Sequence, residues 1–533
     1  MRRLYKRGLV LLALLPFLAG VVVLPVLLWK ADPTLPALAG HLGTVVGVRP
    51  AVLTRPDPLL PPGLSVANVP VGGLTLDEAR AAVEAYRLAP RRRPLVLTLG
   101  EQHLTLDPRR VGLQMDIEEA LAEAAAYAEI WPFRRWDIYL AEDGLGVKEY
   151  LWRDLPMSLD LDEQALRDLL ESLALVYDRP SVPLHPLVLQ DARSITVTGV
   201  AVPTWSLEAP VIAFEASGAG RRLDVEASYP SVDRALRTGE RQPITLTVME
   251  IPPPPVDPAL LADVLDSQIE GMPGVVGVYV QDLDSQREIG VHDEVVFSGA
   301  SVIKIAILLQ VYRVLDDAPK GTVAEDLWAM MVHSENAAAN RLLGVGGGGN
   351  GIRGAQMMSE MLGLLGLSHS YMCNPYSGGP PWPGCPTARA RATAADAGEE
   401  ALVPRADPLL QTTPREMGLL LAYIYQCAKG EGPLLERFPG EITVPECQAM
   451  LQLMGENADL QRIVAGLPAG TRAAHKSGWI HDMKADAGIV FSPGGTYVVS
   501  IFVWEQGGLT DGEGNPRIAN LSWIVYSFFN PRS

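Results

Sequence analysis

Ser301 and Lys304 stand three residues apart at the head of the apolar run Ile305-Ala-Ile-Leu-Leu-Gln-Val-Tyr-Arg-Val-Leu. On a helix that spacing puts both side chains on one face, a turn apart and within hydrogen-bonding reach. Serine is a weak nucleophile until a base takes its proton, and a lysine stripped of water by apolar neighbours gives up its charge readily enough to be that base. A helix N-terminus adds a positive field that favours an oxyanion. A lone S-x-x-K is more often a capping serine beside an unrelated lysine, so the pair needs company. Ser334-Glu335-Asn336 follows the amphipathic stretch Ala324 to His333, and Lys476-Ser477-Gly478 runs into Trp479 ahead of the strand-like Ala487 to Phe491. A hydroxyl, an amide and a second amine are what acyl transfer needs beside a Ser-Lys pair: a proton relay, a clamp for a substrate amide and an anchor for a carboxylate.

Taken in order, these segments resemble the class A serine β-lactamase and penicillin-binding-protein family, whose signature is S-x-x-K, S-D-N and K-T-G. Here the second is S-E-N and the third K-S-G, which keep the serine, asparagine, lysine and hydroxyl. Asn340 and the run Asp486-Ala-Gly-Ile-Val are also similar to the family. The resemblance implies Ser301 as nucleophile, Lys304 as its base, and Ser334 as proton carrier to the leaving nitrogen. Lys476 would polarise Ser334 and help hold a substrate carboxylate. Asn336 would clamp the substrate amide, Ser477 with Gly478 would take the carboxylate, and the backbone N–H groups of Ser301 and Trp479 would form the oxyanion hole. In a true β-lactamase the long loop after the second motif carries a glutamate in E-x-x-L-N that activates the deacylating water. Glu399-Glu-Ala-Leu-Val is only a partial match, so Glu399 is the candidate and the expectation is weak deacylation of a penicillin adduct. His333 and His475 flank the motifs without a carboxylate partner that the sequence identifies, and they read as surface or core residues. The implied activity is a serine hydrolase acting on β-lactams or D-alanyl-D-alanine peptides, with no metal or cofactor. The alternative is a non-catalytic wall-binding or β-lactam-sensing protein with a lactamase-like receptor domain.

The net charge of −18 argues against a nucleic-acid partner, because a phosphate-binding surface needs clustered Lys and Arg. Arg91-Arg92-Arg93 reads as a solvated turn. Cys373, Cys385, Cys427 and Cys447 lack metal-type spacing. If the domain is exported, three disulfide pairings are open, among them Cys373 with Cys385 and Cys427 with Cys447, each closing a short loop. Four buried thiols are the other reading.

The elements that must position the motifs follow in chain order. Residues 1–30 read as a basic tail and a transmembrane helix, since uncharged Gly8 to Trp29 can cross a hydrocarbon layer of ~30 Å and Arg2, Arg3, Lys6 and Arg7 stay inside. That places the catalytic domain outside the cell membrane. A cleaved signal peptide, with Ala37-Leu-Ala before Gly40, is the rival. Residues 31–63 read as a tether. Residues 64–251 read as α+β, either two related units or one domain with a long insertion. A Thr75–Glu78 capping box and a hairpin around Gly100-Glu101 mark its beginning. The order Gly-Gly-Leu-Thr-x-x-Glu-Ala, hairpin, Gly-x-x-x-Asp-x-x-x-Ala-Leu resembles the peptidoglycan-binding domain found beside VanW-type modules, which implies a cell-wall glycan partner. The proline run 252–256 marks a boundary. Residues 257–533 alternate strands at both ends with helices between, an α+β fold in which helices cover an antiparallel sheet.

Overall fold

A computed structural model describes residues 58–130, 138–141, 144–147, 153–189, 196–197, 200–201, 211–386, 404 and 406–532. The expected transmembrane helix, most of the tether and Glu399 lie outside the described residues. Among the described residues no helix is long and apolar enough to cross a membrane. The chain divides into two compact units, one of residues up to 181 with 219–252, the other of 182–218 with 253–533.

In the first unit Thr75 caps the helix Leu76–Val83, and Glu78 returns a carboxylate to the Thr75 N–H at 2.9 Å. Strands Leu95–Leu99 and Gln102–Leu106 form the hairpin around Gly100, whose φ of 60° suits a residue without Cβ. Ile244–Thr245 adds in parallel to the first of these strands. Among the described residues the unit has two apolar clusters, one gathered from residues between Leu60 and Leu155 and one from residues between Leu95 and Leu246.

Residues 182–218, which fall inside the span 64–251, group with the second unit. Strands His185–Leu189 and Val211–Glu215 pair antiparallel. Val211, Ile212, Ala213 and Phe214 are buried in succession, so the strand is apolar on both faces and needs a partner surface on each. In the second unit Val211 and Ala213 cluster with Trp523, and Ile212 and Phe214 with Leu521 and Ile524.

Within the second unit the longer elements from residue 259 are, in chain order, α1 (Ala259–Glu270), β1 (Val275–Asp282), β2 (Glu288–Val291), α2 (Lys304–Val314), α3 (Thr322–Val332), α4 (Asn336–Gly346), α5 (Gly351–Leu364), α6 (Pro414–Lys429), α7 (Val444–Met454), β3 (Arg472–Ile480), β4 (Met483–Ser492), β5 (Gly495–Trp504) and α8 (Asp511–Phe529). The five strands make one antiparallel sheet in the order β2-β1-β5-β4-β3. Both faces are covered: Val276, Val278 and Val280 of β1 point into the cluster with α1 and α8, while Tyr279 points to the cluster with α2 and α6. Every residue from Lys304 to Tyr312 is buried, which makes α2 a central helix with no solvent face. The short strand Phe297–Ser298 pairs with Leu410–Thr412, and the Gly299 N–H donates to Leu410 O at 3.0 Å. That ladder pins the chain one residue before Ala300.

Candidate active site

The nucleophile's turn differs from the expected helix start. The helix begins at Lys304, and Ser301 sits on the turn before it, where the Val302 and Ile303 N–H groups both converge on Gly299 O at 3.0 and 3.3 Å. Ala300 takes a φ of 40°, a left-handed conformation that costs a residue with Cβ about 1–3 kcal/mol and that clusters at functional sites. Its carbonyl is held by the Tyr376 hydroxyl at 2.6 Å. Ser334 occupies the link between α3 and α4, also at positive φ, 60°. The reversal turns its hydroxyl and carbonyl back toward α2.

Lys304 collects these pieces. Its Nζ lies 3.0 Å from Ser301 Oγ, 3.1 Å from Ser334 Oγ, 2.6 Å from Ser334 O and 2.8 Å from Asn336 Oδ1. The amine has three positions for four partners, and the two hydroxyls can donate as well as accept. A neutral Lys304 can therefore take a serine proton in place. The Tyr376 ring closes the remaining side, with its centroid 4.9 Å from Nζ. Lys304 is fully buried, and burial, helped by the charge of Lys476, lowers its pKa to about 7. Asn336 accepts from Lys304 through its Oδ1 and is an exposed residue.

The third motif lies on β3, the sheet's edge. Asn457 Nδ2 donates to His475 O at 3.1 Å from the side away from β4. In an antiparallel strand a residue's N–H and C=O share one side and alternate along the chain, so Ser477 and Trp479 also present theirs to the open edge. A Cβ on Gly478 would come 2.9 Å from both Ser301 N and Val302 N. The edge strand thus packs backbone to backbone on the nucleophile's turn at Gly478, with Trp479 the next residue along it. The Trp479 side chain is 64% exposed, with the Lys484 ammonium 4.9 Å from its ring centroid.

Lys476 is also fully buried, and burial lowers its pKa to about 8 against the opposing pull of Asp486 and Asp459. It donates to Ser477 O at 2.7 Å. The Ser334 hydroxyl, expected to be polarised by Lys476, is held by Lys304 instead. His475 acquires a carboxylate that the sequence did not identify: its Nδ1 lies 2.9 Å from Asp486 Oδ1, and both residues are buried. His333 packs edge-on against Trp328 at the surface.

The structure brings together Ser301, Lys304, Ser334 and Asn336, and lays Lys476, Ser477, Gly478 and Trp479 along the adjoining edge. Cys373 is bonded to Cys385 and Cys427 to Cys447, with Cα atoms 5.7 and 5.8 Å apart. Tyr376, Asp459 and Arg462 were missed. Tyr376 follows Cys373 by three residues in a loop with no regular element, and only its closeness to a disulfide cysteine could have pointed to it. Asp459 and Arg462 carry the i, i+3 charge spacing, but in a loop that spacing says nothing of where the pair lies.

The family model described as the Beta-lactamase enzyme family matches residues 260–321 and 313–529, together 260–529 and just over half of the 533 residues. The chain belongs to the beta-lactamase enzyme family. No match was found among curated proteins. Solved structures similar to part of it include the following three. A mutant of PBP-A, in an acyl-enzyme complex with penicillin G, is 22% identical over 51% of this chain and 97% of its own, with a TM-score of 0.39. A β-lactamase from Sphaerobacter thermophilus DSM 20745 is 20% identical over 52% and 98%, with a TM-score of 0.38. A class A β-lactamase from Mycobacterium abscessus is 19% identical over 50% and 97%, also at 0.38.

Proposed function

We propose that the protein is a membrane-anchored, extracytoplasmic serine acyl-transfer hydrolase that works through an acyl-enzyme on Ser301. The observation that carries this reading is the position of Lys304 Nζ, buried and within 3.1 Å of two serine hydroxyls. Ser301 Oγ attacks a carbonyl carbon as its proton passes to neutral Lys304. The oxyanion that forms is met by the Ser301 and Trp479 N–H groups. The carbon–nitrogen bond then breaks, and the leaving nitrogen takes a proton from Ser334, which Lys304 restores. Water cleaves the resulting ester to release the acid and free Ser301.

The second half of that cycle is slow. The E-x-x-L-N pattern that would supply a glutamate for the deacylating water is matched only in part by Glu399-Glu-Ala-Leu-Val. The substrate is a β-lactam or the end of a peptidoglycan stem peptide, and the first unit holds the enzyme near cell-wall glycan. The test is incubation of the intact protein with a fluorescent penicillin, read by intact mass. An adduct that persists for many minutes and vanishes in Ser301→Ala supports the enzyme. No adduct at any concentration favours a non-catalytic receptor.

A further inference from the structure

Lys304 Nζ is enclosed before any substrate arrives. Among the described residues, Ser301 Oγ, Ser334 Oγ, Ser334 O and Asn336 Oδ1 stand around it at 3.0, 3.1, 2.6 and 2.8 Å. The side they leave carries the Tyr376 ring, with its centroid 4.9 Å from Nζ, and behind these groups the amine is fully buried. The ring is anchored at its far end, where its hydroxyl donates to Ala300 O at 2.6 Å, one residue before the nucleophile. Its backbone is anchored too. Pro375 is buried against the first turn of α5, where a Cβ on Gly351 would come 3.1 Å from Pro375 Cγ. Asn374 Nδ2 donates to Gly379 O at 2.8 Å, and the Gly378 N–H to Pro375 O at 2.9 Å. The Trp382 N–H donates to Cys373 O at 3.0 Å, inside the loop that the Cys373–Cys385 disulfide closes. The ring therefore has no free swing away from the amine.

We propose that the Tyr376 ring fills the place from which Lys304 would activate a deacylating water, and so sets the lifetime of the acyl-enzyme. This rests on the acyl-transfer reading and names the group that governs its second half. In hydrolysis a water oxygen bonds to the acyl carbon on Ser301 while a base takes the water proton. The bond from that carbon to Oγ then breaks, Oγ recovers the proton, and the acid leaves. Lys304, 3.0 Å from Ser301 Oγ, is the base within reach, and the water must lie within hydrogen-bond distance of Nζ. A water between Nζ and the ring would need roughly 6 Å, one hydrogen-bond length plus one van der Waals contact. The 4.9 Å present is too little. Tyr376 is a positioning residue here: it acts by excluding water from Lys304 and takes no part in bond breaking.

The test loads the full-length wild type, Tyr376→Ala and Tyr376→Phe with benzylpenicillin, removes the excess, and follows loss of the adduct by intact mass. Tyr376→Ala opens more than the ~30 Å³ share of one water and offers that water two polar partners, Nζ and the freed Ala300 O. Its adduct is expected to be lost about tenfold faster than the wild type's or more, at the low end of what a positioned base contributes, with release of the ring-opened acid. Tyr376→Phe keeps the ring and is expected to restore the long lifetime, even where loss of the Ala300 contact slows acylation. A merely structural role would slow acylation in both variants and speed deacylation in neither. If the wild type labels and Tyr376→Ala keeps its adduct as long, the inference fails while the acyl-transfer reading stands. If the wild type does not label at all, that reading falls and takes the inference with it. Should Tyr376→Ala not fold or not acylate, Tyr376→Leu is read in the same way, and a wild-type adduct lost within seconds overturns the proposal without any variant.

Discussion

At the scale of single residues, the chemistry turns on two buried amines of unequal pKa. Lys304 must be neutral to accept the Ser301 proton, and burial has brought its pKa to about 7, so acylation rises as pH climbs through that value. Lys476 serves as a cation, and its charge is lost as pH passes about 8. The expected pH profile of the acylation rate is a narrow bell between about 7 and about 8, measured by adduct formation under pseudo-first-order conditions. Because the Lys476 charge helps to depress Lys304, Lys476→Ala should move the acidic limb to higher pH. An acidic limb that stays in place would show that the two amines do not interact. Gly478 gives a steric counterpart. A Cβ there would stand 2.9 Å from the backbone nitrogens of Ser301 and Val302, and neither can give way without moving the nucleophile. Gly478→Ala should cost roughly a hundredfold in acylation, the penalty of about an ångström of misplacement, and leave the unfolding midpoint much less affected.

At the scale of elements, the loop from Cys373 to Cys385 sets the back wall of the site. It is fastened by its disulfide, by the Trp382 Nε1 donating to Met372 O at 3.0 Å, and by the Met372 N–H donating to Ser359 Oγ of α5 at 3.0 Å. Tyr376 rides on this loop, capping Lys304 with its ring and holding Ala300 O with its hydroxyl. Closing a loop of this length is worth about 3 kcal/mol on the chain-entropy view. Replacing Cys373 and Cys385 together by serine should therefore lower the acylation rate, through Tyr376, and also reduce stability in urea by up to about 3 kcal/mol. Tyr376→Phe separates the two effects, since it loses the Ala300 contact and keeps the disulfide. Full acylation by Tyr376→Phe would remove Tyr376 from any role in placing the turn.

At the scale of the whole molecule, the second unit borrows residues 182–218 from the middle of the first unit's sequence. Val182 and Gly218 exchange N–H···O bonds at 2.9 Å in both directions, so the ends of the segment are already adjacent. Replacing residues 183–217 by a short glycine-serine linker should keep the chain's path but uncover Trp523, which is 2% exposed, and remove Phe214 and Ile212 from the cluster with α8. The expected loss is at least that of one buried Phe→Ala truncation, ~3–5 kcal/mol, seen as a lower urea midpoint for the second unit. An unchanged midpoint would show that the paired strands add nothing to its stability.

What the sequence determined by itself is local. Residue spacing placed Lys304 behind Ser301, ordered the S-E-N and K-S-G motifs, and marked Ala487 to Phe491 as a strand, which lies within β4, because helix and strand periodicity are carried by neighbours a few positions apart. Sequence read alone placed the helix start three residues early. The serine's turn is shaped instead by Leu410, by Tyr376 and by the backbone of β3, all distant along the chain. Only the tertiary structure decided that Lys304 rather than Lys476 holds Ser334, that His475 pairs with Asp486, that Asn457 holds the His475 carbonyl, and that residues 182–218 complete the second unit. The physical reason is the same in each case. A hydrogen bond or an ion pair depends on separation in space, and separation along the chain carries no record of it once the partners lie on different elements.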